Sequence, residues 1–112
     1  MVTIRLANID TPEGNQPHGK LATAALETLI DGKQLTVTGT YQDQRGRFIG
    51  FVKVGRTEVN SRMVRDGHAW DFPCYSKGQY AAEQKLAQRA KRGLWLSGNP
   101  VPPWEWRKGV KK

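Results

Sequence analysis

The stretch IRLANIDTPE, Ile4–Glu13, contains the features that decide the fold of this chain. Apolar and polar residues alternate through its first half, and this period of two predicts a half-buried strand over Val2–Ile9 with Arg5 on the polar face. Pro12 ends the strand, because proline lacks a backbone N–H and pushes the preceding residue toward extended geometry. The sequence therefore predicts a strand that stops at a stiff turn.

The turn after this strand carries two carboxylates, although the whole chain has only 10 Asp and Glu residues. Hard divalent cations bind carboxylate and backbone carbonyl oxygens. The turn offers both, at Asp10 and at the carbonyl of Thr11, and Glu13 follows directly after Pro12. Taken alone, four such residues more often form a turn cap and a solvated surface acid than a metal site.

The composition describes a basic chain with room for one core. The 112 residues include 18 Lys and Arg against 10 acidic residues, which gives a formal charge of +8. Such an excess favours polyanionic partners, because neutralised phosphates release condensed counterions, and a merely basic surface is the alternative. Cys74 alone allows no internal disulfide. No segment is apolar enough to span a membrane, and the first residues predict no signal peptide.

Further periodic segments follow the first strand, and glycines separate them. Helical spacing of apolar residues predicts a helix over Lys20–Ile30 that ends at Gly32, and a short helix that Asn60 caps and Gly67 closes. The other predicted elements are strands at residues 33–40 and 47–54, a turn at 41–46 and a helix at about 79–92. This order predicts a small α+β protein or a small barrel.

Two other segments carry residue types suited to phosphate or nucleotide contacts. The turn DQRGR, Asp43–Arg47, places Arg47 at the mouth of a strand. A planar guanidinium suits a bidentate phosphate contact there, and an ordinary surface turn is the alternative. The aromatic and basic run at residues 68–80 offers Tyr75 and Lys77 to a nucleotide.

Other residues of that run are better interpreted as structural. Core packing explains Trp70, and the same holds for Phe72. His68 is interpreted as a structural histidine, because the sequence shows no partner for it.

Five segments, in this order, resemble the staphylococcal nuclease (thermonuclease) family: IRLANIDTPE, LIDGKQLTV, DQRGRFIGFV, VNSRMVRDGHAW and AAEQKLAQRAKRGLW. The resemblance covers nearly the whole chain, and the tail PPWEWRK is similar to the C-terminal signature of bacterial members. It implies a mainly β, OB-fold-type five-stranded barrel with three helices, as one domain over residues 1–112. We expect the Pro/Trp-rich basic tail, residues 97–112, to pack on that domain through Pro102, Trp104 and Trp106.

The resemblance also implies a calcium-dependent nuclease that hydrolyses DNA and RNA to 3′-phosphate products. By position in the shared motifs, Arg5 and Arg47 are phosphate-stabilising catalytic residues, and Glu13 is the general base that acts on water. Asp10 and Thr11 are the calcium ligands, Thr11 through its carbonyl.

Nucleic-acid contacts are implied less directly. Tyr75 matches a substrate-contacting tyrosine of the family, and we expect Arg45 and Lys77 to contact nucleic acid as well. The sequence departs from the family pattern at Pro73, where a second tyrosine is usual, and at Gln44 and Arg45, where lysine and tyrosine are usual. These departures bear on base and sugar contacts rather than on the chemistry. Relatives are often secreted or periplasmic, and the sequence leaves the compartment of this protein open.

The family's N-terminal β-hairpin has no counterpart before Val2 in this sequence. The hairpin supplies the first two barrel strands and one more carboxylate to the metal. We therefore expect weak calcium binding and low activity. We also expect that the chain either self-associates through the exposed edge of the first strand, by edge pairing or swapping, or is only marginally stable alone. A catalytically weak nucleic-acid-binding OB module is the alternative function.

Overall fold

The computed structural model describes residues 4–109, except for the side chains of Ile4, Thr40, Cys74 and Tyr75. Short strands alternate with helices along this part of the chain. In chain order the elements are β1 (Ile4–Leu6), β2 (Ile9–Asp10), α1 (Gly19–Ile30), β3 (Thr36–Gln42), β4 (Phe48–Val54), β5 (Thr57–Glu58), α2 (Val59–Arg65), β6 (Trp70–Asp71), α3 (Pro73–Ser76), α4 (Ala81–Ala90), a 3₁₀ helix (Gly93–Leu96) and α5 (Pro103–Trp106).

The strands form two sheets, with β4 at the centre of the larger one. β4 pairs in parallel with β1 on one side and antiparallel with β3 and β5. β2 and β6 form a separate antiparallel pair. Within residues 4–109 the two sheets do not close into one barrel. The predicted mixed α and β architecture is confirmed and is consistent with an OB-type fold, whereas the loss of two barrel strands stays a prediction.

The first predicted strand is divided in two. The parallel pairing of β1 extends to Ala7, whose N–H donates to the carbonyl of Gly50 at 2.8 Å. The next residue, Asn8, has a φ of 63°, a left-handed conformation that asparagine tolerates better than most residues. The chain turns there, so β2 leaves β4 and pairs with β6 instead. Val2, the first residue of the predicted strand, lies outside the described residues.

Asn60 connects α2 to both β1 and β4. We predicted that this residue caps the helix, and that prediction is wrong, because the N-cap is Glu58 and Asn60 lies inside the helix with 2% of its surface exposed. Its Oδ1 accepts from Val52 N–H at 3.0 Å, and its Nδ2 donates to the carbonyls of Ala7 at 3.0 Å and Gly50 at 3.4 Å. One buried amide thus satisfies backbone groups of two strands.

The hydrophobic core lies between the larger sheet and the helices. Leu26 and other apolar residues of α1 pack against it, as the helical spacing predicted. Within residues 4–109, no helix is both long enough and apolar enough to cross a membrane. The fully assembled core cluster consists of Ile9, Val52, Val59, Met63, Val64, Ala69 and Tyr80.

The C-terminal segment folds back onto the aromatic end of β6. The Trp104 ring meets Trp70 edge-on, with ring centroids 5.6 Å apart, and stacks on Phe72 at 5.5 Å. Trp70 is buried, as core packing requires. A second close contact joins Gly67, just after α2, to Gly93 at the start of the 3₁₀ helix. The N–H of Leu94 donates to the Gly67 carbonyl there, at 2.8 Å. A Cβ on Gly67 would lie 2.2 Å from the carbonyl oxygen of Arg92, so only glycine fits there.

Replacing Asn60 with aspartate should destabilise the fold. The carboxylate is the same size as the amide, but it faces the Ala7 and Gly50 carbonyls without a donor, so we expect the free energy of unfolding to fall by about 3 kcal/mol. Urea denaturation measures the change. The exposed Asn99→Asp is the matched control and should change stability by less than about 0.5 kcal/mol. Equal stabilities of the two variants would contradict the role of Asn60.

The edge of β1 generates a second prediction. Within the described residues, β1 pairs with β4 and ends the strand order of the larger sheet. An unpaired strand edge presents N–H and C=O groups that recruit another chain. Self-association through this edge stays a prediction. Sedimentation over a range of protein concentrations should show a concentration-dependent dimer, and a monomer at all concentrations would contradict it.

Candidate active site

The carboxylate of Asp10 is buried at the end of β2. Asp10 ends β2, in register with Trp70 of β6, and 3% of its surface is exposed. This burial raises the pKa of Asp10, because the charged form loses its hydration, while the guanidinium of Arg107 and the more distant charge of Arg5 oppose the shift. A carboxylate placed in this way needs a cation beside it.

Glu13 is held by a tight loop between β2 and α1. Its backbone N–H donates to Oε1 of the buried Gln16 at 3.0 Å, and its carbonyl accepts from the N–H of Gln16 at 2.9 Å. Gly19, at the start of α1, packs so closely that a Cβ there would lie 1.8 Å from the Glu13 carbonyl oxygen. The loop backbone is therefore fixed, whereas the Glu13 side chain is partly exposed.

Four of the predicted residues line one cleft: Arg5, Asp10, Thr11 and Glu13. Leu6 of β1 and Leu26 of α1 contribute an apolar part of the lining. The structure thus brings together the residues that the first motif placed close in sequence. Their chemical roles stay predictions.

Arg47, the other predicted catalytic arginine, is not among the residues that line this cleft. It immediately precedes β4, whose Ile49 is in register with Arg5 of the parallel strand β1. The register thus sets the start of β4, which Arg47 precedes, beside the strand that carries Arg5. A joint action of Arg5 and Arg47 on one phosphate stays a prediction.

The turn before β4 fixes the orientation of Arg47. Both carboxylate oxygens of Asp43 are used: Oδ1 accepts from the N–H groups of Arg45 and Arg47 at 2.9 Å, and Oδ2 accepts from Nε of Arg47 at 2.8 Å. These hydrogen bonds, first of all that from the Arg47 backbone, lower the pKa of Asp43. Sequence reasoning treated Asp43 as part of a turn and missed its role in positioning the arginine.

The predicted nucleic-acid contacts lie on exposed turns. Arg45 is exposed in the turn before β4, and Lys77 is exposed just after α3 with a φ of 53°. The side chain of Tyr75 lies outside the described part of the structure. Because β2 and β6 are antiparallel, the chain after Asp71 runs away from Asp10 and toward Asn8. Neither Arg45 nor Lys77 lines the carboxylate cleft.

Arg107 is the residue that sequence reasoning missed. It follows α5 and donates through Nη1 to Glu13 Oε1 at 2.5 Å and to Asp10 Oδ1 at 3.3 Å, while its Nη2 pairs with Asp10 Oδ2. These two carboxylates raise the pKa of Arg107, with Asp10 the larger cause. The only sequence signal was the basic end of the tail PPWEWRK, which we interpreted as a packing segment.

Two further contacts join the same tail to the loop that carries Glu13. Nε2 of Gln16 donates to the Val101 carbonyl at 2.5 Å, and Nε1 of Trp106 donates to Asn15 Oδ1 at 3.1 Å. The tail is thus fastened to two residues that directly follow Glu13 and Gly14. These two hydrogen bonds of the tail, together with the ion pairs of Arg107 itself, hold its guanidinium beside Asp10 and Glu13.

The oxygen atoms in the cleft suit a hard divalent cation by donor type. The Asp10 carboxylate and the Thr11 carbonyl supply protein oxygens of the class that calcium prefers, and Glu13 adds a carboxylate nearby. Among the described side chains, no group of three or more His, Cys, Asp or Glu residues is arranged to hold a metal. The predicted ligands fit such an ion only as a partial set that water completes.

A histidine pair fastens the other side of the same loop. Nε2 of His18 and Nδ1 of His68 are 2.9 Å apart, so the histidine for which the sequence showed no partner has one. His18 precedes α1 with a φ of 72°. Burial is the main reason that the pKa of both imidazoles is lowered, and the neighbouring His68 lowers that of His18 further.

Comparison with known proteins identifies the family. The family model described as "Staphylococcal nuclease homologue" matches residues 3–97, and the chain belongs to this family. This agrees with the fold and with the cleft that the first motif forms.

Relatives from plants and bacteria match over nearly the whole chain. It is 41% identical over 106 residues to "Probable staphylococcal-like nuclease CAN2" of Oryza sativa subsp. japonica, covering 94% of this chain and 29% of the relative. It is 43% identical over 108 residues to "Uncharacterized endonuclease" of Escherichia coli O157:H7, covering 95% of this chain and 71% of the relative. The chain thus spans less than a third of that plant relative.

The histidine pair predicts a pH dependence of stability. Unfolded histidines take up a proton near their ordinary pKa of about 6.5, whereas the folded pair resists protonation, so the unfolded state binds more protons on acidification. The free energy of unfolding should therefore fall as the pH drops from about 7 to about 5. Urea denaturation at several pH values measures the slope.

The matched variant is His18→Asn, because asparagine tolerates the left-handed backbone at this position. It should flatten the slope over the same pH range, since one of the two titrating groups is gone. The raised pKa of Asp10 has the opposite effect on the slope but is present in both proteins. An unchanged slope in His18→Asn would show that the pair does not govern the pH dependence.

Proposed function

We propose that this chain is a calcium-assisted nuclease that hydrolyses phosphodiester bonds of DNA and RNA and leaves 3′-phosphate products. The observation that carries the proposal is the cleft in which Arg5, Asp10, Thr11 and Glu13 lie together. Membership of the staphylococcal nuclease family supports nuclease chemistry in general. The formal charge of +8 supports a polyanionic substrate.

Each residue of the cleft has a part in this hydrolysis. Glu13, on its fixed loop, accepts a proton from the attacking water, for which geometry matters before pKa. Arg5 in the cleft and Arg47 at the turn before β4 stabilise the charge that develops on the phosphate oxygens. The pairing of Arg47 with Asp43 holds its planar fork at that turn.

The acidic side of the cleft serves the cofactor. Asp10 and the Thr11 carbonyl would hold a calcium ion, and the bound ion supplies positive charge beside the phosphate. Asp10 suits this role because it is buried at the end of a short strand and cannot swing away. Arg45, Tyr75 and Lys77 are proposed to contact the nucleic acid outside the cleft.

One observation favours the alternative function, a nucleic-acid-binding module with weak catalysis. Arg107 pairs with both carboxylates that the chemistry requires, Asp10 and Glu13. A chain in which this pairing persists would bind nucleic acid through its basic surface and cleave slowly.

A plasmid-nicking assay with added calcium tests the proposal. Glu13→Gln removes the general base while keeping the size of the side chain, so the rate should fall about 100-fold or more. Glu58→Gln, at the exposed residue before α2 and outside the lining of the cleft, removes the same charge from the same residue type and should leave the rate within about twofold.

The outcomes separate the two functions. Calcium-dependent nicking that Glu13→Gln abolishes supports the nuclease. Binding of single-stranded DNA without nicking, by the parent chain and by Glu13→Gln alike, would contradict it and favour the binding module.

A further inference from the structure

We infer that Arg107 is an internal cation which occupies the Asp10–Glu13 pair, and that a divalent cation binds this pair only by displacing the guanidinium. The inference rests on the proposed function, since it concerns the regulation of the same site. It assigns to the C-terminal segment a part in controlling metal binding. The evidence is the set of contacts that Arg107 makes and the place of Asp10 in the fold.

Asp10 requires a positive partner. Its side chain is 2% exposed, and a carboxylate removed from water is costly unless it is paired and hydrogen-bonded. Arg107 meets this need through two nitrogens, Nη1 on Oδ1 and Nη2 on Oδ2. Two-point pairing of this kind adds geometric specificity to the strength of a charge-assisted hydrogen bond.

The same guanidinium extends its pairing to Glu13. Nη1 lies 2.5 Å from Glu13 Oε1, so one cation neutralises two carboxylates that would otherwise repel each other. A bound divalent cation would neutralise the same two carboxylates. The two cations are therefore alternatives, because a guanidinium and a metal ion at the same carboxylates repel each other strongly.

The fold allows Arg107 to leave without disturbing the rest of the tail. Its side chain is 38% exposed, so a path to solvent exists. The anchors of the segment are separate residues: Trp104 packs against Trp70 and Phe72, and Val101 is held by Gln16. A change of side-chain rotamer at Arg107 frees the carboxylates while α5 stays in place.

Calcium titration by calorimetry tests the inference without reference to catalysis. In the parent chain, calcium must first break the ion pairs of Arg107, which costs binding free energy. Arg107→Ala has no such pairs, so this variant should bind calcium at least about fivefold more tightly. Lys108→Ala is the matched control, because it removes the same charge from the next residue. Lys108 pairs with Glu105 at 3.9 Å and its side chain is 71% exposed. Its removal should change calcium affinity less than twofold, as expected for an exposed and screened charge.

A third variant keeps the test decisive if Arg107→Ala fails to fold, which circular dichroism would reveal. Arg107→Lys retains the charge but loses the planar fork, so its calcium affinity should exceed that of the parent chain. Equal or weaker calcium binding by the folded Arg107 variants overturns the inference. An increase in Lys108→Ala as large as in Arg107→Ala also overturns it, since general charge would then explain both.

Failure of the inference is distinguishable from failure of the proposed function. If the parent chain binds calcium and nicks plasmid DNA while Arg107→Ala gains no affinity, only the inference is overturned. If neither the parent chain nor any Arg107 variant binds calcium, the calcium part of the proposed function is overturned together with it.

Discussion

The buried amide of Asn60 is the interaction on which the rest of the structure depends. It satisfies backbone groups of Ala7 and Gly50 on one side and of Val52 on the other. Within the described residues β1 spans Ile4–Leu6, and a strand segment this short makes few ladder hydrogen bonds of its own. The amide adds a link from a helix that is itself packed in the core. The position of Arg5, and the start of the turn that leads to Asp10, follow from this link.

The geometry of the cleft follows from the position of β1, which Asn60 links to β4. A parallel pair sets the start of β4, which Arg47 precedes, beside β1, which carries Arg5 into the lining of the cleft. The left-handed residue Asn8 then redirects the chain, so that Asp10 enters the protein interior instead of continuing along the sheet edge. Positive charge on the sheet and negative charge on the loop thus face one space. An ion, a phosphate and a water molecule would each find a complementary group there.

Local sequence patterns predicted most of the secondary-structure elements, but they did not predict side-chain partners that are distant in sequence. The period of two gave β3 and β4, helical spacing gave α1 and α4, and Gly67 marked the end of α2 as expected. The sequence could not show that Asn60 is buried among strands, since asparagine near a helix start usually caps it. Nor could it show that His18 meets His68 or that Arg107 meets Asp10, because those pairs are 50 and 97 residues apart. The first motif predicted that Arg5, Asp10, Thr11 and Glu13 lie together, as they do in the cleft. Only the three-dimensional structure revealed Arg107, which pairs with Asp10 and Glu13.

The bonds between the tail and the Glu13 loop join residues 85, 91 and 94 positions apart in a chain of 112. The entropic cost of closing such a loop grows with the length of chain between the two contacts, although slowly. During synthesis Glu13 and Asp10 are made 94 and 97 residues before the arginine that pairs with them. Both carboxylates in a nascent chain therefore lack this cation until Arg107 has been made, and its pairing then brings the acidic loop under a positive charge.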